Sequence, residues 1–338
     1  MYLITGGGGF LGAGLARRLI ELGGMPVRVF DLRRRDNVPV EAEYCRGDIQ
    51  VPGDIEKAVK GASVVFHLAS LLPCARAKSG FYKVNTRGTY NLLEACRRHG
   101  VKRVVYLSSS SVYGMPAVVP LKEDSPACPV GDYGRSKLLA EDICLRYADN
   151  GMTVAIIRPR FIIGPGRLGL LKVVFDWVHE NRNVYTIGSG SNRFQMVGID
   201  DLIDACLLAA SSGNSGIYNI GADNVPTVRE LLGGLIAHAR SASVLVPLNS
   251  ALVKAGLRVL DALNLVPFTG EQYLLADKEY ILDASRAKEE MGWAPRHSHE
   301  EMFNGAYDWY LVNKPFLGEE NICDHPREKV LRLLKCLS

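Results

Sequence analysis

Residues 2–12 read YLITGGGGFLG, and residues 15–22 continue as LARRLIEL. An apolar run, four glycines and then apolar positions at helical spacing put the glycines where a first strand hands over to a first helix. Gly6 permits a tight turn, Gly9 lets a pyrophosphate come up to bare backbone, and Gly12 lets the helix lie close to the sheet. The pyrophosphate would rest on the helix N-terminus, where free N–H groups and the positive dipole end meet it. A purely structural turn has the same local look, so the next strand matters. VRVFD over residues 27–31 ends in Asp31, about 20 residues beyond the glycines, where a carboxylate can accept both hydroxyls of an adenosine ribose. The two signals together point to a bound dinucleotide. Asp31 repels a 2′-phosphate and so favours NAD. Arg33, Arg34 and Arg35 either compensate it in favour of NADP or form a solvated loop.

Working outward, short apolar runs alternate with helical-period segments, as βαβ units require. Strands are predicted at 2–5, 27–31, 64–68, 104–108 and 153–158, and helices at 11–22, 55–59, 84–99 and 133–150. This is an α/β fold with a doubly wound parallel sheet of the Rossmann type. Residues 1–163 read as the dinucleotide-binding domain. Residues 164–338 read as a smaller substrate lobe, punctuated by Gly, Pro, Ser and Asn, with some segments returning to the sheet.

Composition narrows the function. The 338 residues are 47% apolar, with 40 Lys and Arg against 36 Asp and Glu, a net +4. That excess is too small to argue for nucleic acid as a partner. No stretch approaches the ~18 apolar residues of a membrane span, since even Leu202 to Ala210 is broken by Asp204. The opening residues lack the basic start and long apolar run of a secretory signal. The eight cysteines (45, 74, 96, 128, 144, 206, 323 and 336) form no CxxC pair, which fits reduced thiols in the cytoplasm and argues against a zinc site. The last residues, PREKVLRLLKCLS (326–338), read as a terminal helix packed on its own domain, with a basic amphipathic surface helix as the alternative.

YGRSK over residues 133–137 opens a helix, and the spacing of four sets Tyr133 and Lys137 on one face. A phenol titrates near ~10, so ionising it near neutrality takes roughly three pKa units, about 4 kcal/mol, from nearby positive charge. Lys137 with an oxidised nicotinamide could supply that. Any helix can contain such a pair by accident, but VYLSSSSVYG over 105–114 places hydroxyls at a strand end, facing the crevice where doubly wound sheets bind ligands.

With these motifs the chain resembles the extended short-chain dehydrogenase/reductase family, in particular its NAD-dependent epimerase/dehydratase members acting on sugar nucleotides, of the UDP-glucose 4-epimerase type. The resemblance spans roughly residues 1–310 and also rests on Gly47-Asp48-Ile49, His67-Leu-Ala-Ser70, Asn85 with Gly88-Thr89, Arg158-Pro159 with Gly164-Pro-Gly166, Asp200-Asp201-Leu202 and Gly292-Trp293. It implies that Gly6, Gly9, Phe10, Leu11, Gly12 and Asp31 bind the cofactor. Asp48 and Ile49 would hold the adenine, Leu68, Ala69, Ser70 and Pro159 would line the crevice, and Asn85 would sit beside the nicotinamide ribose. Ser109 matches the catalytic hydroxyl, Tyr133 the general acid/base, and Lys137 the ribose-binding amine that lowers the Tyr133 pKa. Ser109, Ser110, Tyr133 and Arg193 would contact substrate. The family also implies a homodimer built on the helices near Val84 and Tyr133.

Three departures refine the expectation. Dehydratase members carry an Asp-Glu pair where this chain has Ser110 and Ser111, so 4,6-dehydration is not expected. Sugar-nucleotide members place a diphosphate-binding Asn three residues after the Arg158 position, and this chain has Phe161 there. Their phosphate-binding Arg falls seven residues before Asp201, at Phe194, with Arg193 one position off. On a strand, a shift of one residue turns a side chain to the other face. The expected activity is epimerisation of a nucleotide-activated sugar through a transient ketone. The alternative is a 3β-hydroxysteroid dehydrogenase-like or sugar dehydrogenase, because Phe161, Ile162 and Ile163 would make an apolar wall. A cofactor-sensing protein without chemistry would have lost Tyr133 or Lys137, and both are present. His67 reads as a structural residue at its strand end.

Overall fold

The structure is a computed structural model that describes residues 1–73, 77–169, 171–262 and 270–316. Cys74, Cys323, Cys336 and the terminal segment 326–338 lie outside the described residues. The first half contains β1 (Tyr2–Thr5), α1 (Phe10–Leu22), β2 (Val27–Asp31), β3 (Glu43–Arg46), α2 (Pro52–Val59) and β4 (Val64–His67). There follow α3 (Ser79–Phe81), a π-helical turn (Tyr82–Arg87), α4 (Gly88–Arg98), β5 (Arg103–Leu107), a 3₁₀ turn (Ser110–Tyr113), α5 (Asp132–Asp149) and β6 (Thr153–Pro159). The remainder is β7 (Phe161–Ile163), α6 (Leu171–His179), β8 (Val184–Ile187), β9 (Met196–Gly198), α7 (Ile199–Ser212), β10 (Gly216–Ile220), α8 (Val228–His238), β11 (Leu245–Leu248), α9 (Ser250–Ala262), α10 (Gly270–Leu275), α11 (Ser285–Met291) and α12 (His299–Asn313).

Seven parallel strands form the main sheet in the order β10-β6-β5-β4-β1-β2-β3. Five of them match the predicted runs. The sixth, β3, is a short edge strand with exposed ends, too brief to show a period. The seventh, β10, comes from the irregular half and completes the opposite edge beside β6. β1 has β2 on one side and β4 on the other, so the winding reverses there and the loops leaving β1 and β4 face one crevice.

Both faces of the sheet are covered, as a parallel sheet requires. Along β6, Val154 and Ile156 join the core beneath α4 and α5 with Leu92, Ala140 and Cys144. Ala155 and Ile157 point the other way, to Leu15, Leu202, Ala209 and Trp293. The period of two is therefore present, but apolar on both sides, which is why these strands read as continuous runs. A separate core gathers Phe175, Trp177, Leu235, Phe303, Tyr307 and Tyr310 around α6, α8 and α12. Two small parallel pairs, β7 with β9 and β8 with β11, accompany it.

Trp293 is buried and its Nε1–H donates to the Asp201 carbonyl at 2.8 Å, which ties the segment after α11 to α7. Replacing Trp293 by Ala removes the packing and the bond together. We expect a loss of about 3–5 kcal/mol, read as a lower urea midpoint at unchanged slope.

Candidate active site

At the reversal point the two loops meet backbone to backbone. Gly6 has φ +70°, and a Cβ there would lie 2.7 Å from the Ala69 backbone. A Cβ on Gly12 would lie 2.5 Å from the Gly6 carbonyl oxygen, so that glycine sets the closeness of α1. Gly9 caps α1 with extended backbone and no side-chain bond, and Phe10 and Leu11 form its first turn. The helix therefore presents its N-terminal N–H groups to the crevice. At the far end, the Asp31 carboxylate accepts the Gly8 N–H at 2.9 Å and the Leu32 N–H at 2.7 Å. Two main-chain donors thus fix an anion at the tip of β2. A bare glycine floor leading to an oriented carboxylate fits an adenine dinucleotide.

The flanking residues are held by their own bonds. Asp48 accepts the Gln50 N–H at 2.8 Å, and its own N–H donates to Asp54 at 3.1 Å. Ile49 is buried against Gly88, where a Cβ would come within 2.9 Å of it. Ala69 N–H donates to the Thr5 hydroxyl at 3.4 Å, and the Ser70 hydroxyl donates to Asn85 Oδ1 at 3.1 Å. Asn85 is buried and uses its whole amide: Oδ1 accepts the Leu71 N–H at 2.8 Å, and Nδ2 donates to Ser136 at 3.0 Å. It fastens the crevice loop to α5.

His67 joins three elements. Thr89 donates its hydroxyl to the Asn85 carbonyl, so it accepts from His67 Nε2, 2.9 Å away. Nδ1 then accepts from Thr5 at 2.7 Å. The ring is neutral, with one donor and one acceptor used. Burial, aided by the charge of Lys137, pushes its pKa down to about 3.

The serine turn and α5 come together at the end of β5. Ser109 Oγ accepts the Ser111 N–H at 3.2 Å and caps the 3₁₀ turn. A Cβ on Gly134 would lie 2.5 Å from the Ser111 carbonyl oxygen, so this glycine allows the first turn of α5, and Tyr133 with it, to press against that turn. Tyr133 is 9% exposed and meets Phe81 edge-on at 6.0 Å. Lys137 is buried, donates to the Leu107 carbonyl at 2.8 Å and lies 4.9 Å from the Tyr106 ring centre. Desolvation lowers its pKa to about 7, against the raising fields of Glu141 and Cys144.

The expected substrate residues are placed less uniformly. Ser110 is buried, and its carbonyl accepts the Tyr280 hydroxyl. Pro159 closes β6 and is buried. Arg193 is exposed and pairs through Nε and Nη2 with both oxygens of Glu279, at 2.9 and 3.0 Å. Phe161 and Phe194 touch, with ring centres 5.3 Å apart, and the Arg160 guanidinium lies over Phe194 at 5.6 Å and over Tyr280 at 4.3 Å. Gly134, Glu141 and Tyr280 were not singled out from sequence. Glu141 continues the four-residue spacing of Tyr133 and Lys137 and was findable on that ground, whereas nothing local marks Tyr280.

Residues 2–221 match the NAD dependent epimerase/dehydratase family. The chain belongs to that family and is an NAD-dependent enzyme of the oxidoreductase/isomerase kind. It is 36% identical to the uncharacterized protein y4nG of Sinorhizobium fredii over 99% of this chain and 85% of that relative. It is 28% identical to the UDP-glucose 4-epimerase of Azospirillum brasilense over 91% of each. It is also 33% identical to the mouse sterol-4-alpha-carboxylate 3-dehydrogenase, decarboxylating, over 61% of this chain and 58% of that one. Among solved structures it is similar to the Thermotoga maritima UDP-glucose 4-epimerase with UDP-glucose, at TM-score 0.78 and 25% identity over 93% of this chain and 99% of that one. MoeE5 in complex with UDP-glucose and NAD gives TM-score 0.74 and 26% identity over 93% and 99%. Among the described residues no helix is long and apolar enough to cross a membrane.

Two measurements probe this site. Gly6→Ala forces a Cβ into the Ala69 backbone at a left-handed φ, and calorimetry should show NAD affinity at least ~10-fold weaker, about 1.4 kcal/mol. For His67, the unfolded ring titrates near ~6.5 and the folded ring near 3, so the unfolded state binds the extra proton. The stability it contributes is present above pH ~6.5 and is lost as pH falls toward 3, by roughly 3–5 kcal/mol. Urea unfolding should lose stability more steeply over that range in the parent than in His67→Asn.

Proposed function

We propose that this protein is an NAD-dependent epimerase of a nucleotide-activated sugar that oxidises a secondary alcohol transiently to a ketone. The observation that carries this reading is the likeness to UDP-glucose-bound structures over more than nine-tenths of the chain, the elements beyond the main sheet included. Tyr133 takes the hydroxyl proton. Lys137, one helical turn away, favours the ionised phenol, since an opposite charge within ~4–6 Å moves a pKa by ~1–3 units. Ser109 donates a hydrogen bond to the carbonyl oxygen as it forms. NAD held over the glycine turn and beside Asp31 would supply the acceptor, and then the donor, for the carbinol hydride. The 3₁₀ turn itself (Ser110–Tyr113) carries no carboxylate, so it supplies no acid/base pair for eliminating water.

A second reading is a dehydrogenase for an apolar alcohol, and one observation favours it. The two positions where sugar-nucleotide enzymes place diphosphate contacts hold Phe161 and Phe194, packed on each other. The sterol dehydrogenase relative has the corresponding chemistry in its name. On either reading we assign a homodimer through α4 and α5, whose outer faces expose Tyr90, Leu139 and Leu145. We assign a cytosolic setting from the unpaired thiols of Cys45, Cys96, Cys128, Cys144 and Cys206.

The test is to incubate the purified protein with UDP-, dTDP-, GDP- and CDP-sugars, and separately with a 3β-hydroxysteroid plus NAD, following reduced nicotinamide absorbance and product stereochemistry. Isomerised sugar without net cofactor reduction supports the epimerase. Stoichiometric reduction with the steroid supports the second reading. On whichever substrate turns over, Tyr133→Phe should lower turnover by ~10²-fold or more and leave NAD affinity within about twofold. Undiminished turnover removes Tyr133 from the mechanism.

A further inference from the structure

Glu141 stands on α5 one turn past Lys137 and two turns past Tyr133, and is 1% exposed. Its carboxylate accepts Arg158 Nε at 3.0 and 3.2 Å and Nη2 at 2.6 Å. It also accepts the hydroxyl of Ser108, the residue immediately before Ser109. Arg158 reaches the other end of the serine turn, donating through Nη1 to the Tyr113 hydroxyl at 2.8 Å and to the Glu123 carbonyl at 3.1 Å. Tyr113 donates its own hydroxyl to Asn219 Oδ1 at 2.7 Å. One buried carboxylate thus holds the turn at both ends, directly at Ser108 and through Arg158 at Tyr113.

Glu141 and Arg158 form the buried ion pair of this layer. Lys137 and Cys144 act on Glu141 from α5 and Tyr106 from β5, Arg158 pairs with it from β6 and reaches on to Tyr113 and the Glu123 carbonyl, and His67 of β4 feels the charge of Lys137. Burial pushes the Cys144 thiol and the Tyr106 and Tyr113 phenols up, so they stay neutral. It pushes His67 down, so it too is neutral. Desolvation also raises Glu123, which lies against the Asn219 N–H rather than against Lys137.

We propose that Glu141 is a positioning residue of the alcohol-oxidising site: it fixes the Ser109 turn against the helix face that carries Tyr133 and Lys137, and it supplies the negative charge that Lys137 faces. The proposal rests on the reading of Tyr133 and Lys137 given above. An ammonium buried without an anion gives up its proton, and a neutral amine cannot favour a phenolate. Burial alone already drives Lys137 toward neutrality, and Glu141 opposes it.

The test uses full-length protein loaded with NAD and labelled with ¹³C at the lysine Cε, the Lys137 resonance being assigned by its absence in Lys137→Arg. Glu141→Gln should weaken the proton affinity of Lys137 at least ~10-fold, about one pH unit, while Glu141→Asp stays near the parent value. Should the Gln variant fail to fold with Arg158 unpaired, Glu141→Gln/Arg158→Gln removes both partners of the pair and should shift the Lys137 midpoint in the same direction but by less, because the positive charge of Arg158 is lost as well. In that double variant, amide exchange across residues 109–113 should rise at least ~10-fold. An unmoved Lys137 midpoint, or unchanged exchange in the turn, overturns the assignment. Both readouts are taken without substrate, so they fail separately from the Tyr133→Phe assay, which judges the alcohol-oxidation reading itself.

Discussion

The backbone of Gly6 and that of Ala69 approach so closely that a single methyl at Gly6 would lie 2.7 Å from its neighbour. That contact holds the loops after β1 and β4 against each other where the sheet changes its direction of winding, and it leaves a floor of bare peptide between them. A pyrophosphate needs such a floor, because any Cβ would occupy the space its oxygens take. The same constraint brings α1 down on the turn at Gly12 and so aims the helix N-terminus into the crevice. Asp31 is then placed by β2 at a fixed distance along it, with Gly8 N–H and Leu32 N–H orienting its oxygens.

The second constraint is electrostatic. Lys137, Glu141 and Arg158 are all nearly excluded from water, and a buried charge is tolerated only when paired and fully hydrogen-bonded. The Arg158–Glu141 pair meets that condition with three bonds and draws Ser108 and Tyr113 into the same network. Breaking such a pair costs about 3–5 kcal/mol because the survivor is left uncompensated. The serine turn is therefore held by a buried charge pair on its sheet side and by the first turn of α5 on the other, where Gly134 admits the Ser111 carbonyl. His67 stays neutral and bonded at both nitrogens, a strut between β1, β4 and α4.

The surroundings of Ser110, Phe161 and Arg193 are built from chain segments far apart in sequence. Tyr280 reaches Ser110 from a strap that is itself hydrogen-bonded to Leu121 and to the buried amide of Gln195. Phe161 and Phe194 meet because β7 pairs with β9, and Arg193 spends its fork on Glu279.

Local chemistry along the chain was enough to point to NAD as the cofactor and to set Tyr133 and Lys137 one turn apart on a single helix. A glycine turn between strand and helix, an acid at the next strand end and a four-residue spacing are each fixed by backbone geometry over a few residues, so they survive being read without neighbours. Five of the seven sheet strands were legible for the same reason, since apolar runs of this length bury both faces. β3 and β10 were not, being set by an edge position that only an assembled sheet offers. The surroundings of Arg193 and Phe194 were settled only by folding, because a one-residue offset reverses a side chain and the partner of Arg193, Glu279, is supplied by a distant segment. The burial that moves Lys137 to about 7 and His67 to about 3 belongs to the same category: desolvation is a property of everything packed around a group, and no stretch of sequence carries it alone.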